Sequence, residues 1–170
     1  MSILGVILAG GQSSRFGSDK AQALFEGRAL LDHACASLVP FVDAVVVAGR
    51  DWPGMIRVDD RPHPGLGPLG GLLGALHWAT AQGHDAVLSC GCDTLGLTAA
   101  HVAALTPGPA VLDALPIIGL WPVALAPVLA DWLDTHQRHA VYAFVDAAGA
   151  RRVVVPKPPR NINRPEDLSV

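Results

Sequence analysis

An apolar run ending in a glycine-rich, cationic loop does most to limit what this chain can fold into. Ile3-Leu4-Gly5-Val6-Ile7-Leu8-Ala9 contains no polar side chain. A strand of that kind must be covered on both faces, as in a parallel sheet between two helical layers. The loop Gly10-Gly11-Gln12-Ser13-Ser14-Arg15-Phe16-Gly17-Ser18-Asp19-Lys20 follows directly. Glycines at 10, 11 and 17 let backbone N–H groups approach a ligand closely. Arg15 and Lys20 add positive charge, so the segment suits the phosphates of a nucleotide. It matches neither common phosphate motif, having no Gly-Lys-Ser/Thr and no Gly-x-Gly-x-x-Gly. An ordinary strand-to-helix turn would explain the glycines but neither cation.

Beyond this loop the periodicity alternates between strand and helix. Strands are predicted over 3–8, 44–48, 56–58 and 86–90, and helices over 29–39, 69–81 and 99–105. Gly67-Pro68 suits the start of one helix and Thr98 the N-cap of another. Such alternation implies a three-layer, Rossmann-like α/β fold with a mainly parallel sheet. Ligands in such sheets bind at the carboxyl ends of the strands. The last third is less regular. Short strands are predicted over 110–112, 117–120 and 151–155, helices over 122–133 and 138–147, a polyproline-like path over 156–160 and a helical turn from Pro165. No linker or repeat interrupts the chain, so residues 1–170 read as one domain.

Composition excludes several functions. The chain is 51% hydrophobic and 16% charged, enough for a large core. No apolar stretch reaches the roughly 18–20 residues of a membrane helix, and no basic n-region with a cleavage site opens the chain. A net charge of −3 disfavours a general nucleic-acid binder. An acidic protein that binds polyphosphate must gather its cations locally, as the first loop does. Cys35, Cys90 and Cys92 form neither a disulfide framework nor a zinc set, which points to a reduced, cytoplasmic enzyme. The seven histidines show no metal-ligand pairing and are read as solvent-facing or capping residues. No Gly-x-Ser-x-Gly elbow is present to support serine hydrolysis.

Four places remain for chemistry. Lys20, unless it is a plain surface lysine, could reach the phosphates or the reacting phosphorus and stabilise charge there. Arg15 offers a planar fork for phosphate oxygens. Asp93 lies just past the 86–90 strand in Gly91-Cys92-Asp93-Thr94. It can serve as the single carboxylate that Mg²⁺ needs beside substrate phosphates, or as an Asx turn. Asp59-Asp60 precede the loop that runs to Gly67-Pro68-Leu69-Gly70-Gly71. That loop can bring backbone close to a nucleoside and present a helix N-terminus to an anion, or serve packing alone. Asn161 and Asn163 place two amides on one face of an extended segment, for a substrate or to tie down the terminus.

The string Leu-Ala-Gly-Gly-x-Ser-x-Arg-x-Gly-x-Asp-Lys over 8–20 resembles the signature of nucleotidyltransferases with a sugar-nucleotide-transferase-like fold. Gly10-Gly11 with Asp19-Lys20 looks most like the molybdenum cofactor guanylyltransferases. Gly67-Pro68-Leu69, Cys92-Asp93-Thr94 and Asn161-Ile162-Asn163 follow in that family's order. The resemblance implies GTP with Mg²⁺ on Asp93, and a molybdopterin phosphate that attacks the α-phosphorus and releases pyrophosphate. It also implies a base site of backbone at Leu8, Ala9, Gly10 and Gly11 and at the loop from Gly67. By spacing, Asp60 rather than Asp59 joins the nucleotide site. Lys20, Arg15 and Asp93 would carry catalysis, with Asn161 and Asn163 near the acceptor. Molybdoenzymes or cofactor-assembly proteins are the implied protein partners. Four departures stand out: Ala48 where the family often has asparagine, Leu95 at its proline, Arg164 at its threonine, and a short 109–120 region. They leave open a related transferase, such as a cytidylyl form, or a weakly catalytic nucleotide-binding accessory protein.

Overall fold

The computed structural model describes residues 1–11, 19–137 and 139–169. Arg15 and Gly17 lie outside the described residues. In chain order the first half comprises β1 (Ile3–Leu8), the small hairpin β2 (Leu24–Phe25) and β3 (Arg28–Ala29), α1 (Leu30–Leu38), β4 (Ala44–Ala48), β5 (Ile56–Val58) and α2 (Gly67–Gln82). The second half comprises β6 (Ala86–Gly91), β7 (Thr94–Leu95), α3 (Ala99–Leu105), β8 (Ala110–Leu112), β9 (Leu115–Pro122), α4 (Ala126–Thr135), α5 (Val141–Ala147), β10 (Arg151–Val153) and β11 (Arg160–Asn161).

A seven-stranded sheet has the order β10-β8-β9-β6-β1-β4-β5. All its strands run one way except β9, which is antiparallel to both β6 and β8. The apolar run of β1 is covered on both faces, as its sequence requires. Leu4 and Val6 join Val46, Val87 and Trp121 beneath α2, α4 and α5. Ile7 joins Val47, Leu88 and Cys90 beneath α1 and α3. The three-layer expectation is therefore met.

Local start signals held where side chains could act on nearby backbone. Thr98 caps α3: its Oγ1 accepts from His101 N. Gly83, at φ +79°, ends α2 in the left-handed conformation that glycine favours. The 122–133 helix is corrected. β9 runs on to Pro122, which pairs with Ala86, and a 3-10 turn at Val123–Leu125 precedes α4. The 138–147 helix begins only at Val141, and the 151–155 strand stops at Val153, where its partner β8 ends. The short 109–120 region is a hairpin turned at Asp113-Ala114, with a bulge beside Val111 and Leu112. Among the described residues no helix is long and apolar enough to cross a membrane.

Candidate active site

Register brings three strand ends together at one edge of the sheet. Leu8 pairs with Ala48 on one side and with Gly91 on the other, so β1, β4 and β6 end level. The strand order also reverses at β1, with β4 to one side and β6 to the other. Connections leave such a point in opposite directions and open a crevice. A cleft lies there, open to solvent and lined from both sides by the ends of these strands.

One wall is Leu8, Ala9, Gly10 and Gly11. Ala9 N donates to Ala48 O at 3.2 Å. A Cβ on Gly49, at φ +85°, would stand 2.6 Å from Gly10 Cα. Two backbones in near contact thus form the cradle, and a side chain at 49 would force them apart. The facing wall is the start of α2, where Gly67, Pro68 and Gly71 line the cleft. A Cβ on Gly71 would already meet Ala48 Cβ at 3.0 Å and Leu8 Cδ2 at 3.1 Å. The absence of that Cβ brings the helix start down onto the strand ends.

Asp60 lines the cleft beside this helix, whereas Asp59 is exposed and pairs with Arg57 at 2.9 Å. Spacing had separated the two aspartates in the same way. Burial raises the Asp60 carboxyl above its ordinary value, the charge of Asp59 adds to this, and Arg57 opposes it. The folded protein therefore holds the Asp60 proton more tightly than the unfolded chain does. Ionised Asp60 subtracts from stability at neutral pH, and the deficit vanishes as pH falls through the carboxylate range. We expect Asp60→Asn to raise the Tm of the nucleotide-free protein at pH 7, with the gain gone below the carboxylate range. Thermal melts at pH 7 and below the carboxylate range check this; a lower Tm at pH 7 would contradict it.

On the opposite side Lys20 Nζ lies 2.9 Å from Asp93 Oδ2, with both side chains mostly buried. Asp93 sits in the turn between β6 and β7. Gly91 N donates to Thr94 Oγ1 at 3.2 Å, and Ile162 N donates to Asp93 O at 3.1 Å. β11 pairs with β7, so Asn161 stands opposite Thr94. The Asn161 amide stands beside the Asp93 carboxylate, and the orientation that suits its neighbours turns its nitrogen from Asn163 to donate to Asp93 Oδ1 at 2.9 Å. Neither Asn161 nor Asn163 lines the cleft itself. Asn163 N instead donates to Asp167 Oδ2 at 2.9 Å, which braces the terminal turn.

Arg50 was missed by sequence reasoning. Its guanidinium lines the cleft and grips Asp19 at two points, 2.7 and 2.5 Å. That bidentate contact lowers the Asp19 carboxyl below its ordinary value. Asp19 in turn accepts from Ala21 N at 3.2 Å and caps the turn that begins with Lys20. Only a cation two residues past a strand end could have signalled this. Cys92 also lines the cleft, but burial pushes its thiol up to about 11, so it is no nucleophile near neutral pH.

Comparison with known proteins identifies the family. The family model for the MobA-like NTP transferase domain matches residues 5–152. A molybdenum cofactor guanylyltransferase from Acidiphilium cryptum is 36% identical, over 96% of this chain and 90% of that protein. One from Rhodobacter capsulatus is 33% identical, over 99% of this chain and 94% of that protein. Among solved structures, molybdopterin-guanine dinucleotide biosynthesis protein A from Archaeoglobus fulgidus superposes with a TM-score of 0.69 at 18% identity, covering 98% of this chain and 94% of that one. The 2-C-methyl-D-erythritol 4-phosphate cytidylyltransferase of Thermus thermophilus gives 0.62 at 18% identity, covering 99% and 95%. With a matching family model over most of its length and relatives of this identity end to end, the chain belongs to the MobA-like NTP transferase family of nucleotidyltransferases.

Proposed function

We propose that this protein transfers GMP from GTP to molybdopterin, yielding the guanine dinucleotide cofactor and pyrophosphate. The observation that carries this reading is the convergence, at one set of strand ends, of the backbone cradle, Lys20, Asp93 and Asp60. The base and ribose rest against backbone at Leu8, Ala9, Gly10 and Gly11 and at the Gly67 end of α2, with Asp60 accepting from the nucleoside. The triphosphate lies toward Lys20. A phosphate oxygen of molybdopterin attacks the α-phosphorus, a new P–O bond forms, and the bond to the β-phosphate oxygen breaks. Lys20 neutralises charge as it builds on the leaving pyrophosphate, and Arg15 contributes in the same sense. Asn161 and Asn163 face the acceptor side, where Asn161 orients the Asp93 carboxylate.

The donor set also fits Mg²⁺. One mostly buried carboxylate that lines the cleft suits an ion that keeps its waters and shares substrate phosphates, not one caged by protein. Bound there, Mg²⁺ would supply charge neutralisation on the phosphates. Asp93→Asn is then expected to lower turnover about 100-fold or more and to abolish Mn²⁺ binding seen by paramagnetic resonance with GTP present. Unchanged Mn²⁺ binding would remove Asp93 as the ligand. We place the protein in the cytoplasm, where its proposed substrates and free thiols belong.

The test of the reading is pyrophosphate release from each of four nucleoside triphosphates with molybdopterin as acceptor. GTP should give the fastest release. Faster release from CTP would overturn the base assignment. Nucleotide binding with no release would favour an accessory role.

A further inference from the structure

His101, on α3, is a buried polar side chain outside the reaction cleft. His101 is 7% exposed and both ring nitrogens are engaged. Thr98 N donates to Nδ1 at 3.1 Å. The ring proton therefore sits on Nε2, which donates to the carbonyl of Lys157 at 2.8 Å. Thr98 and His101 form the reciprocal cap that usually employs glutamate or glutamine at this place. Histidine keeps that cap and adds a donor on the far side of the ring.

The donor reaches a segment with consequences for the cleft. Lys157 lies in Pro156-Lys157-Pro158-Pro159, a stiff stretch because proline fixes its own backbone. β11 follows at once, and its Arg160 and Asn161 pair with Leu95 and Thr94. Ile162 is fully buried against Leu30, its N–H bound to Asp93 O. Asn161 thus reaches the Asp93 carboxylate from a two-residue strand pairing, too short to hold its register rigidly alone.

We propose that His101 is a positioning residue: it latches the proline-rich strap to α3 and so fixes the Asn161 amide against Asp93. The catalytic part of this inference rests on the role of Asp93 in the proposed reaction. Cap and latch are separable. H101E retains the cap acceptor but sets a carboxylate against the Lys157 carbonyl. H101Q retains both an acceptor and a donor. T98A removes the cap hydroxyl and leaves the latch.

Amide hydrogen exchange at Ile162, thermal melts and steady-state kinetics are measured on the full chain. H101E should keep a Tm within about 3 °C of the parent, with Ile162 exchange accelerated roughly tenfold. Its kcat should fall roughly five- to tenfold with KM for GTP unchanged. H101Q should restore both values. T98A should lower the Tm while leaving Ile162 exchange at the parent rate. Should H101E not fold, H101L removes both ring contacts at similar volume and is compared with T98A. Unchanged Ile162 exchange in the His101 variants, or equal acceleration in T98A, overturns the latch. Absence of nucleotidyl transfer in the parent overturns the functional reading alone, and the exchange data still decide the latch.

Discussion

Lys20→Ala is expected to lower turnover about 100- to 1,000-fold while weakening GTP binding far less. The side chain is 17% exposed and fixed at both ends. Its backbone is held by the Asp19 cap, itself gripped by Arg50, and its ammonium meets Asp93 at 2.9 Å. In the proposed reaction a cation so placed acts most strongly where charge develops, on the oxygen that leaves with pyrophosphate. A ground-state contact alone would appear mainly in KM. The fold should survive, because Asp93 keeps the Asn161 amide and some solvent access. Lys20→Arg should recover little, since a planar fork cannot replace a compact point charge at this distance. Single-turnover pyrophosphate release beside equilibrium GTP titration separates the two effects. Turnover within threefold of the parent would remove Lys20 from the mechanism.

The features legible in the sequence are those with local causes. The two-sided burial of β1 follows from seven successive apolar residues, and the starts of α2 and α3 follow from Gly67-Pro68 and Thr98. All eight positions named for the nucleotide site line the cleft; the family resemblance singled them out, and the strand ends and helix start beside them were readable from periodicity. Strand direction is a different matter. A buried strand reads the same in either direction, so the reversal of β9 left no trace in its pattern. The β2–β3 hairpin is two residues a side and turns at Glu26-Gly27, with φ of 49° and 77°, without the Asn-Gly or Asp-Gly that usually marks such turns. The β7–β11 pairing joins segments about sixty-five residues apart and the His101–Lys157 hydrogen bond spans fifty-six, and no local window sees either. Arg50 stayed hidden for the same reason: its partner Asp19 is thirty-one positions away.

Gly74→Ala is expected to destabilise the protein by about 3 kcal/mol, against the preference of an isolated helix. Gly74 lies inside α2, where alanine would ordinarily add about 1 kcal/mol. A Cβ at this position would stand 2.1 Å from the Asp59 carbonyl oxygen, far inside any real contact. The obstacle is backbone, so no side-chain rotation relieves it. Either α2 or the segment after β5 must move by about 1 Å, and each movement is opposed. α2 presses Gly71 onto Leu8 and Ala48, and Arg61 N is bound to Gly70 O at 3.0 Å. Displacing the 59–60 segment also shifts Asp60 from the nucleotide wall. Gly74→Ala should therefore lower the Tm and raise KM for GTP together, though the residue itself never meets the nucleotide in this reading. Gly83→Ala makes a useful contrast, because the added Cβ meets nothing within 4 Å and only the left-handed φ of +79° is penalised, by roughly 1 kcal/mol, with KM unchanged. Denaturant melts and GTP kinetics on the two variants distinguish a clash that reaches the site from simple loss of a helix end. A Gly74→Ala protein at least as stable as its parent would show that α2 and the Asp59 backbone are not in close contact.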